Sequence, residues 1–311
     1  MHISVIIPAY LAQRFLAQAL DSVLSQTAGA DEVLIVENFS PDETLRIARQ
    51  LEHKHAPLVR VVRERRPGAG AARQRGILEA KGQWLAFLDA DDMWLPQKLQ
   101  MQKEAQARNP RAAMIHVRGC RMLADGSVVA SRDHFPTADS WREDYLRRRF
   151  CICPSHVMLR RDVAMALGGF DAGLMLAEDT DLWLRVAAQH AIVPVDAPCV
   201  IHPRGHAEST MVRLGTLATH LSDLRVWNRN RRYFQNDRRL LQAWKAGYAQ
   251  LFQLLSVELA SHGRLMEAII RYAGSCMVQP TAAMSPQGKV LVETLLGVRR
   301  YQRLRAALRA G

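Results

Sequence analysis

The sequence contains no apolar run of the roughly 18 to 20 residues that a membrane-spanning helix requires. Its first residues, Met1-His2-Ile3-Ser4, have no cationic stretch followed by an apolar core, so no secretory signal is expected. The five cysteines are odd in number and scattered, which does not fit a disulfide framework and is typical of a reducing cytoplasm. Cys151 and Cys153 are too close together and too isolated for a zinc knuckle, and we expect them to be structural.

The glycine-rich loops of two nucleotide-binding classes of enzyme are also absent. A dinucleotide-binding oxidoreductase needs Gly-x-Gly-x-x-Gly directly after its first strand, where this chain has Pro8-Ala9-Tyr10. Gly68-Ala69-Gly70 lies far downstream of that position. A sugar nucleotidyltransferase needs an N-terminal glycine-rich loop with a basic residue for a triphosphate, and the sequence has none. Both classes are therefore excluded.

Acidic residues are scarce in the last third of the chain. Residues 1–210 hold 26 Lys/Arg against 25 Asp/Glu, whereas residues 211–311 hold 16 against 5. This asymmetry favours a near-neutral catalytic body with a basic element that contacts a polyanionic surface, although a solvated basic face without a partner is the simpler alternative. A non-enzymatic protein that binds nucleic acid or another polyanion through this region is the alternative function. No aromatic–basic interleaving or nucleic-acid motif supports it, so no nucleic-acid partner is expected.

Short apolar runs alternate with helical patterns over the first hundred residues. Strands are predicted at residues 3–7, ended by Pro8, and at 33–36, 58–62 and 84–88, with helices at 15–26, 42–51 and 69–80 between them. This alternation predicts an α/β fold with a Rossmann-like, mostly parallel sheet flanked by helices. From about Leu214 the pattern becomes helical. We therefore predict one domain at 1–213 and a helical, basic C-terminal region at 214–311.

Polar residues follow the strands of the predicted sheet, at the edge where parallel sheets bind ligands. They are Pro8-Ala9-Tyr10, Glu37-Asn38, Arg73 in the helix after the third strand, and Asp89-Ala90-Asp91-Asp92. Three carboxylates within four positions repel one another unless a cation lies among them, and Mg²⁺ or Mn²⁺ shares such oxygen ligands with substrate phosphates. Tyr10 can stack on a base, Glu37 and Asn38 can hydrogen-bond its edge, and Arg73 can pair with a phosphate or a base oxygen.

Together these motifs resemble glycosyltransferase family 2, whose members have the GT-A nucleotide-diphospho-sugar transferase fold. The resemblance covers residues 3 to about 211 in family order, and it implies that the domain at 1–213 is a GT-A catalytic domain with nucleotide-sugar-binding and acceptor halves. Its motifs are the runs at 4–10, 36–42 and 87–92, Gly68 with Ala72-Arg73-Gln74 and Gly76-Ile77, Gly168-Gly169-Phe170-Asp171, the run at 178–185, and Arg204-Gly205-His206 with Ser209. The chain departs from the family at Leu11, where Asn is common, and at Glu37-Asn38, where two Asp are common. The base pocket is therefore expected to be reshaped.

The resemblance implies a role for each matching residue. The nucleotide is held by Pro8, Ala9, Tyr10, Glu37, Asn38 and Arg73, with Asp89 at the ribose and Ala90 in the same loop. Asp91 ligates the metal that bridges the diphosphate, and His206 lies near the metal. Asp179 is the general base for the acceptor hydroxyl, with Glu178 beside it as the second catalytic carboxylate. Without the resemblance, the simpler interpretation is that Asp179 is the N-capping residue of an amphipathic helix.

These roles imply an inverting, metal-dependent hexosyltransferase that moves a sugar from a nucleotide diphosphate sugar, most simply UDP-linked, to an acceptor hydroxyl. The implied cofactor is Mn²⁺ or Mg²⁺. Expected acceptors are surface polysaccharides or lipid-linked glycans of the cell envelope, recognised within residues 118–154. The enzyme is expected in the cytoplasm, with peripheral contact to an anionic membrane.

The basic last third of the chain contains a pattern that predicts this membrane contact. An apolar stripe between residues 289 and 308, crowded by arginines, predicts a basic amphipathic helix. A second basic cluster spans residues 225–239. Packing of the stripe on the catalytic body is the open alternative.

Overall fold

The computed structural model describes residues 1–122, 127–131, 133–202 and 214–280. These residues divide into two compact units. The described residues of 1–141 and 150–209 form the first, and those of 142–149 and 210–311 form the second. The predicted boundary after residue 213 falls at the edge of a stretch outside the described residues. Residues 142–149, which lie within the predicted catalytic domain, belong with the C-terminal helices.

The first unit is built on one sheet, to which the described residues contribute nine strands. The strands are β1 (Ile3–Ala9), β2 (Glu32–Glu37), β3 (Val59–Arg63), β4 (Trp84–Phe87), β5 (Met93–Trp94), β6 (Ala112–Met122), β7 (Val128–Ala130), β8 (Val157–Arg160) and β9 (Ala191–His202). Their order is β3-β2-β1-β4-β8-β6-β9-β5, with β7 paired to β6. The first four strands are mutually parallel, and the later strands add antiparallel pairs. The predicted Rossmann-like half is confirmed.

Helices cover both faces of this sheet. They are α1 (Leu16–Leu24), α2 (Thr44–Lys54), α3 (Ala69–Glu79), α4 (Lys98–Arg108), α6 (Arg161–Ala166) and α7 (Glu178–Gln189). The short helix α5 (Trp141–Leu146) belongs, except for Trp141, to the second unit. The side chains of Val5 and Ile7 join the core formed with α1, α2 and α4. Ile6 points to the other face, where α3 comes so close that a β-carbon on Gly76 would lie 2.4 Å from it. The alternation of side chains along β1 thus places α3, which carries Arg73, against the central strands.

The first strand is longer than the sequence predicts. β1 continues through Pro8 to Ala9, and Pro8 pairs in register with Val36 of β2. Its pairing with β4 ends at Ile6, so beyond that point β1 has one neighbour. Proline has no backbone N–H to donate, and Pro8 is tolerated there because β1 has a hydrogen-bonded neighbour on one side only. The prediction that Pro8 ends the strand was wrong, and the extension carries Ala9 into line with Glu37.

The second unit is helical. Residues 142–149 join α8 (Thr216–Asn230), a short 3₁₀ turn (Arg231–Tyr233), α9 (Arg238–Ser261) and α10 (Leu265–Val278). Trp227 and Trp244 tie α8 to α9, since each indole N–H donates to the other residue's carbonyl oxygen, at 3.3 and 3.2 Å.

The segment 142–149 lies against these helices. The Leu146 carbonyl oxygen would lie 2.1 Å from a β-carbon on Gly247, and the Tyr145 ring is 6.4 Å from that of Trp227.

One face of α10 carries exposed apolar side chains. Met266, Ile270 and Met277 are 71%, 63% and 81% exposed. Their spacing of four and seven residues places them in one stripe. No helix among the described residues is both long and apolar enough to cross a bilayer. The amphipathic helix predicted at 289–308 lies outside the described residues.

Candidate active site

The predicted nucleotide residues meet at one edge of the sheet. Ala9 at the end of β1 is paired in register with Glu37 at the end of β2, and the Asn38 N–H donates to the Ala9 carbonyl oxygen at 3.0 Å. Leu88 continues β4 beside them, with its N–H 3.0 Å from the Ile6 carbonyl oxygen. The acid loop 89–92 therefore leaves the sheet on the same side as the Glu37-Asn38 pair, as parallel strands require.

Glu37 and Asn38 are buried and hydrogen-bonded within the loops themselves. The Glu37 carboxylate accepts from the Ser40 N–H at 2.6 Å and from Arg63 Nε at 2.8 Å. The Asn38 amide nitrogen donates to the carbonyl oxygens of Glu64 and Arg66 at 2.6 and 2.7 Å, and its oxygen accepts from the Gly68 N–H at 2.9 Å. These contacts hold the loops after β2 and β3 together. A contact of either side chain with a base stays a prediction.

Arg73 joins the two sides of the candidate site. Its guanidinium is buried, donating to Glu178 Oε1 at 2.6 Å and to Asp89 Oδ1 at 2.5 Å. Burial opposes its charge, but the carboxylates of Asp89, Glu178 and Asp179 raise the pKa of Arg73 above its ordinary value. Its Nε is buried with no hydrogen-bond partner in the described contacts. Arg73 therefore fixes the acid loop against the first turn of α7.

The three carboxylates of the acid loop have different surroundings. Asp89 and Asp91 are partly exposed, whereas Asp92 is buried. The Asp92 N–H donates to the Asp89 carbonyl oxygen at 3.0 Å, which closes the turn. Ser155 Oγ donates to Asp92 at 2.6 Å and accepts from the Asp89 N–H at 3.0 Å. The turn thus directs Asp92 into the protein and leaves Asp89 and Asp91 accessible from the edge of the sheet.

Two histidines extend this network. His202 Nδ1 lies 2.7 Å from Asp92 Oδ1, and its Nε2 shares a hydrogen bond of 2.8 Å with His156 Nε2. Burial opposes protonation of His202, but the Asp92 carboxylate raises its pKa, while burial and the neighbouring His202 lower the pKa of His156. Neither histidine is among the site residues predicted from the sequence. His202 ends β9, immediately before residues 203–213, which contain His206 and lie outside the described residues.

The predicted general base lies in the first turn of α7. Asp179 is partly buried, and its Oδ1 accepts from the Thr180 N–H at 2.6 Å. The N-cap of α7 is Ala177, so Asp179 is the second helical residue and not the cap. The Glu178 carboxylate is ion-paired with Arg73, so Glu178 helps to position the first turn of α7. Asp181 is buried and ion-paired to Arg185 at 2.6 Å, so it is a poor substitute for Asp179.

Cys153 belongs to the same surroundings. Burial raises the pKa of its thiol well above the ordinary value, with further contributions from Cys151 and the nearby carboxylate of Asp179. All five cysteines are free thiols. The Trp183 indole N–H of α7 donates to the Ile152 carbonyl oxygen at 3.2 Å, so part of the region where acceptor recognition is predicted packs against the helix that carries Asp179.

Among the described residues, no group of three or more His, Cys, Asp or Glu side chains is arranged so that it could hold a metal ion by itself. An accessible acid loop of this kind fits a hard cation that takes one or two carboxylates and completes its coordination with substrate phosphates. A separate surface depression at the opposite end of β4 is lined by Lys81, Trp84, Gln106 and Arg161 among others. It contains none of the predicted site residues.

Comparison with known proteins identifies the family to which the chain is similar. Residues 4–167 match the model of a family described as glycosyl transferase family 2. A glycosyltransferase of Haemophilus influenzae named as uncharacterised is 26% identical over 215 residues, which cover 67% of this chain and 71% of that protein. The Escherichia coli enzyme WfgD, a UDP-Glc:α-D-GlcNAc-diphosphoundecaprenol β-1,3-glucosyltransferase by name, is 34% identical over 194 residues, 62% of this chain and 73% of its own length.

A solved structure shows the same fold. Residues 1–349 of S. aureus TarS, crystallised with UDP-GlcNAc, superpose with a TM-score of 0.64 at 14% sequence identity. The superposition covers 96% of this chain and 92% of that one. The predicted GT-A fold, with helices following the sheet, is confirmed.

Proposed function

The chain belongs to glycosyltransferase family 2 and is a glycosyltransferase, and we propose that it transfers a hexose from a UDP-linked donor to an acceptor hydroxyl with inversion. The observation that carries this proposal is the buried Arg73, which binds Asp89 of the donor-side loop and Glu178 of the base-bearing helix together. A direct displacement requires the donor and the general base to be held at a fixed distance and orientation. The Arg73 bridge would hold the loop and the helix that carry them. The donors named for WfgD and present in the TarS crystal are both UDP-sugars.

The proposed mechanism assigns one task to each part of the site. Asp179 accepts the proton of the acceptor hydroxyl as its oxygen attacks the anomeric carbon. Asp89 binds the ribose, and the loop residues Pro8, Ala9 and Tyr10 bind the nucleoside. Asp91 would hold Mn²⁺ or Mg²⁺, which offsets the charge on the departing diphosphate. Arg73 keeps Asp89 and Glu178 from moving apart while the bond to the diphosphate breaks.

We propose a lipid-linked or surface glycan as the acceptor. The support comes from WfgD, whose name specifies a lipid-diphosphate-linked acceptor. The acceptor would enter past residues 150–154, where Ile152 contacts the helix that carries Asp179.

The donor is identified by a thermal-shift panel of UDP-, GDP-, dTDP- and CMP-sugars with and without Mn²⁺. We expect a UDP-sugar to give the largest stabilisation, and Mn²⁺ to increase it, because a ligand that binds only the folded protein raises its melting temperature. Hydrolysis of the stabilising donor then tests catalysis. If no nucleotide sugar stabilises the protein and it is retained on DNA at low salt, the result favours the alternative of a non-enzymatic polyanion-binding protein.

The second unit supports a proposed contact with an anionic membrane. Residues 214–280 hold nine Lys/Arg against four Asp/Glu, and α10 exposes Met266, Ile270 and Met277 in one stripe. Apolar side chains on a basic body bind the interface of anionic bilayers, where each cation near the surface contributes about 1 kcal/mol.

Co-sedimentation with vesicles tests this contact. The protein is expected to pellet with anionic vesicles, not with neutral ones, and to be released at high salt. Met266→Gln with Ile270→Gln should reduce pelleting, whereas Leu78→Gln, at an exposed leucine of the first unit, should not. A chain that ends at Pro286 separates α10 from the predicted helix at 289–308. Equal pelleting of the double variant and the wild type would contradict a role for α10.

A further inference from the structure

Phe39 has an unusual backbone conformation. It follows β2 with a φ of 52°, in the left-handed region that bulky residues seldom adopt. The residue is 41% exposed, so burial does not compensate for this conformation. A strained, exposed aromatic residue at the ligand-binding edge of a sheet calls for a functional explanation.

The surrounding loops hold Phe39 in place. Glu37 accepts from the Ser40 N–H at 2.6 Å and from Arg63 at 2.8 Å, so it fastens both sides of Phe39. Ser40 Oγ accepts in turn from the Leu11 N–H at 2.9 Å, which connects the loop after β1. The Arg63 guanidinium carbon lies 3.9 Å from the centre of the Phe39 ring, and that of Arg65 lies 5.6 Å away. The ring is therefore oriented without being buried.

The polar side chains expected to read the base at this edge are turned inward. Glu37 and Asn38 are buried and bonded to loop atoms, whereas Tyr10 and Phe39 are 44% and 41% exposed. Aromatic rings bind nucleobases by stacking, and neighbouring guanidinium groups add hydrogen-bond donors for base carbonyl oxygens. We infer that Phe39, with Arg63 and Arg65 close to its ring, is a second stacking surface for the nucleobase of the donor besides Tyr10. This inference rests on the proposed function.

Titration calorimetry tests the inference with variants at position 39. The probe is whichever of UDP, GDP, dTDP and CDP the wild type binds most tightly in the presence of Mn²⁺, and inorganic pyrophosphate is the second probe. Phe39→Asn removes the ring but suits the left-handed conformation, and Phe39→Trp keeps an aromatic face. Tyr233→Asn is the matched control, since Tyr233 lies beneath Arg232 at 5.0 Å in the second unit.

The dissociation constant of the nucleotide should rise about tenfold in Phe39→Asn, the usual effect of losing one stacked base contact. Phe39→Trp and Tyr233→Asn should bind like the wild type, and pyrophosphate affinity should not change in any variant. Unchanged nucleotide affinity in Phe39→Asn overturns the inference. An equal loss for pyrophosphate also overturns it, because the substitution would then act on the loop and not on the base. A wild type that binds none of the four nucleotides refutes the proposed function itself.

Discussion

Replacing Lys98 with methionine should change how the stability of the protein depends on pH. Lys98 begins α4 and is fully buried, with its Nζ 3.0 Å from Gln102 Oε1 and 3.7 Å from the centre of the Trp94 ring. No carboxylate is ion-paired with it among the described residues. Burial of an ammonium with so few partners disfavours the charged form, and it lowers the pKa of Lys98 from 10.5 to about 7.

The magnitude follows from that difference. Below pH 7 the lysine is protonated in both the folded and the unfolded chain, and the buried charge costs the fold about 5 kcal/mol. Between pH 7 and 10.5 only the unfolded chain keeps the proton, so the free energy of unfolding rises by about 1.4 kcal/mol per pH unit. Above pH 10.5 the cost is gone. Methionine has no proton to lose and lacks this contribution.

Chemical unfolding of both proteins at pH 7.5 and 9.5 measures the effect. The variant should be the more stable at pH 7.5, and its advantage should shrink by about 3 kcal/mol at pH 9.5. Loss of the bond to Gln102 lowers the variant's stability equally at both pH values and leaves the shrinkage unchanged. A ¹³C-labelled lysine resonance that titrates near pH 7 and disappears in the variant is the direct control. A constant difference between the two proteins would refute the reasoning, since it would mean that Lys98 stays protonated in the fold.

The remaining predictions concern the active site, with Asp162→Asn, at the far end of the sheet, as the control. Asp179→Asn should keep donor affinity and reduce transfer about 10² to 10⁴-fold in steady-state assays; near-normal turnover would place the base elsewhere. Asp91→Ala should abolish Mn²⁺-dependent UDP binding in calorimetry while the circular dichroism spectrum is kept; unchanged affinity would remove Asp91 from the metal site. Arg73→Met leaves Asp89 and Glu178 without their buried cationic partner, and should destabilise the protein by about 3 to 5 kcal/mol in thermal unfolding as well as reduce transfer.

The frame of the site could be predicted because it depends on local patterns. The apolar runs that form β2 and β4 are short, rich in branched side chains and bounded by turn residues, and parallel pairing alone then places Glu37 and Asp89 at one edge. The family and the fold inferred from these runs are confirmed. The roles of individual residues in nucleotide, metal and proton transfer stay predictions.

The contacts of the site side chains depend on distant pairs that no local pattern encodes. Asp92 meets Ser155 across 63 residues and His202 across 110, and Arg73 meets Glu178 across 105. In the sequence, Asp92 is one of three similar carboxylates, and only these partners show that it points inward. Glu37 and Asn38 looked available for a base for the same reason, because their partners Arg63 and Glu64 belong to another strand and its loop.

The attachment of residues 142–149 to the C-terminal helices affects how the chain emerges from the ribosome. Tyr145 and Leu146 are synthesised about 80 residues before Trp227, which packs near Tyr145 in the folded protein. At 5–20 residues per second, about 4 to 16 s pass before Trp227 is added to the chain. During that interval the side chains of Tyr145 and Leu146, which are buried in the folded protein, lack the helices that pack against them. The last strands of the sheet, β8 and β9, are synthesised in the same interval. An expression vector that stops translation ahead of α8 would make this exposure permanent. Such a shortened enzyme would need polar replacements at both positions to remain monodisperse.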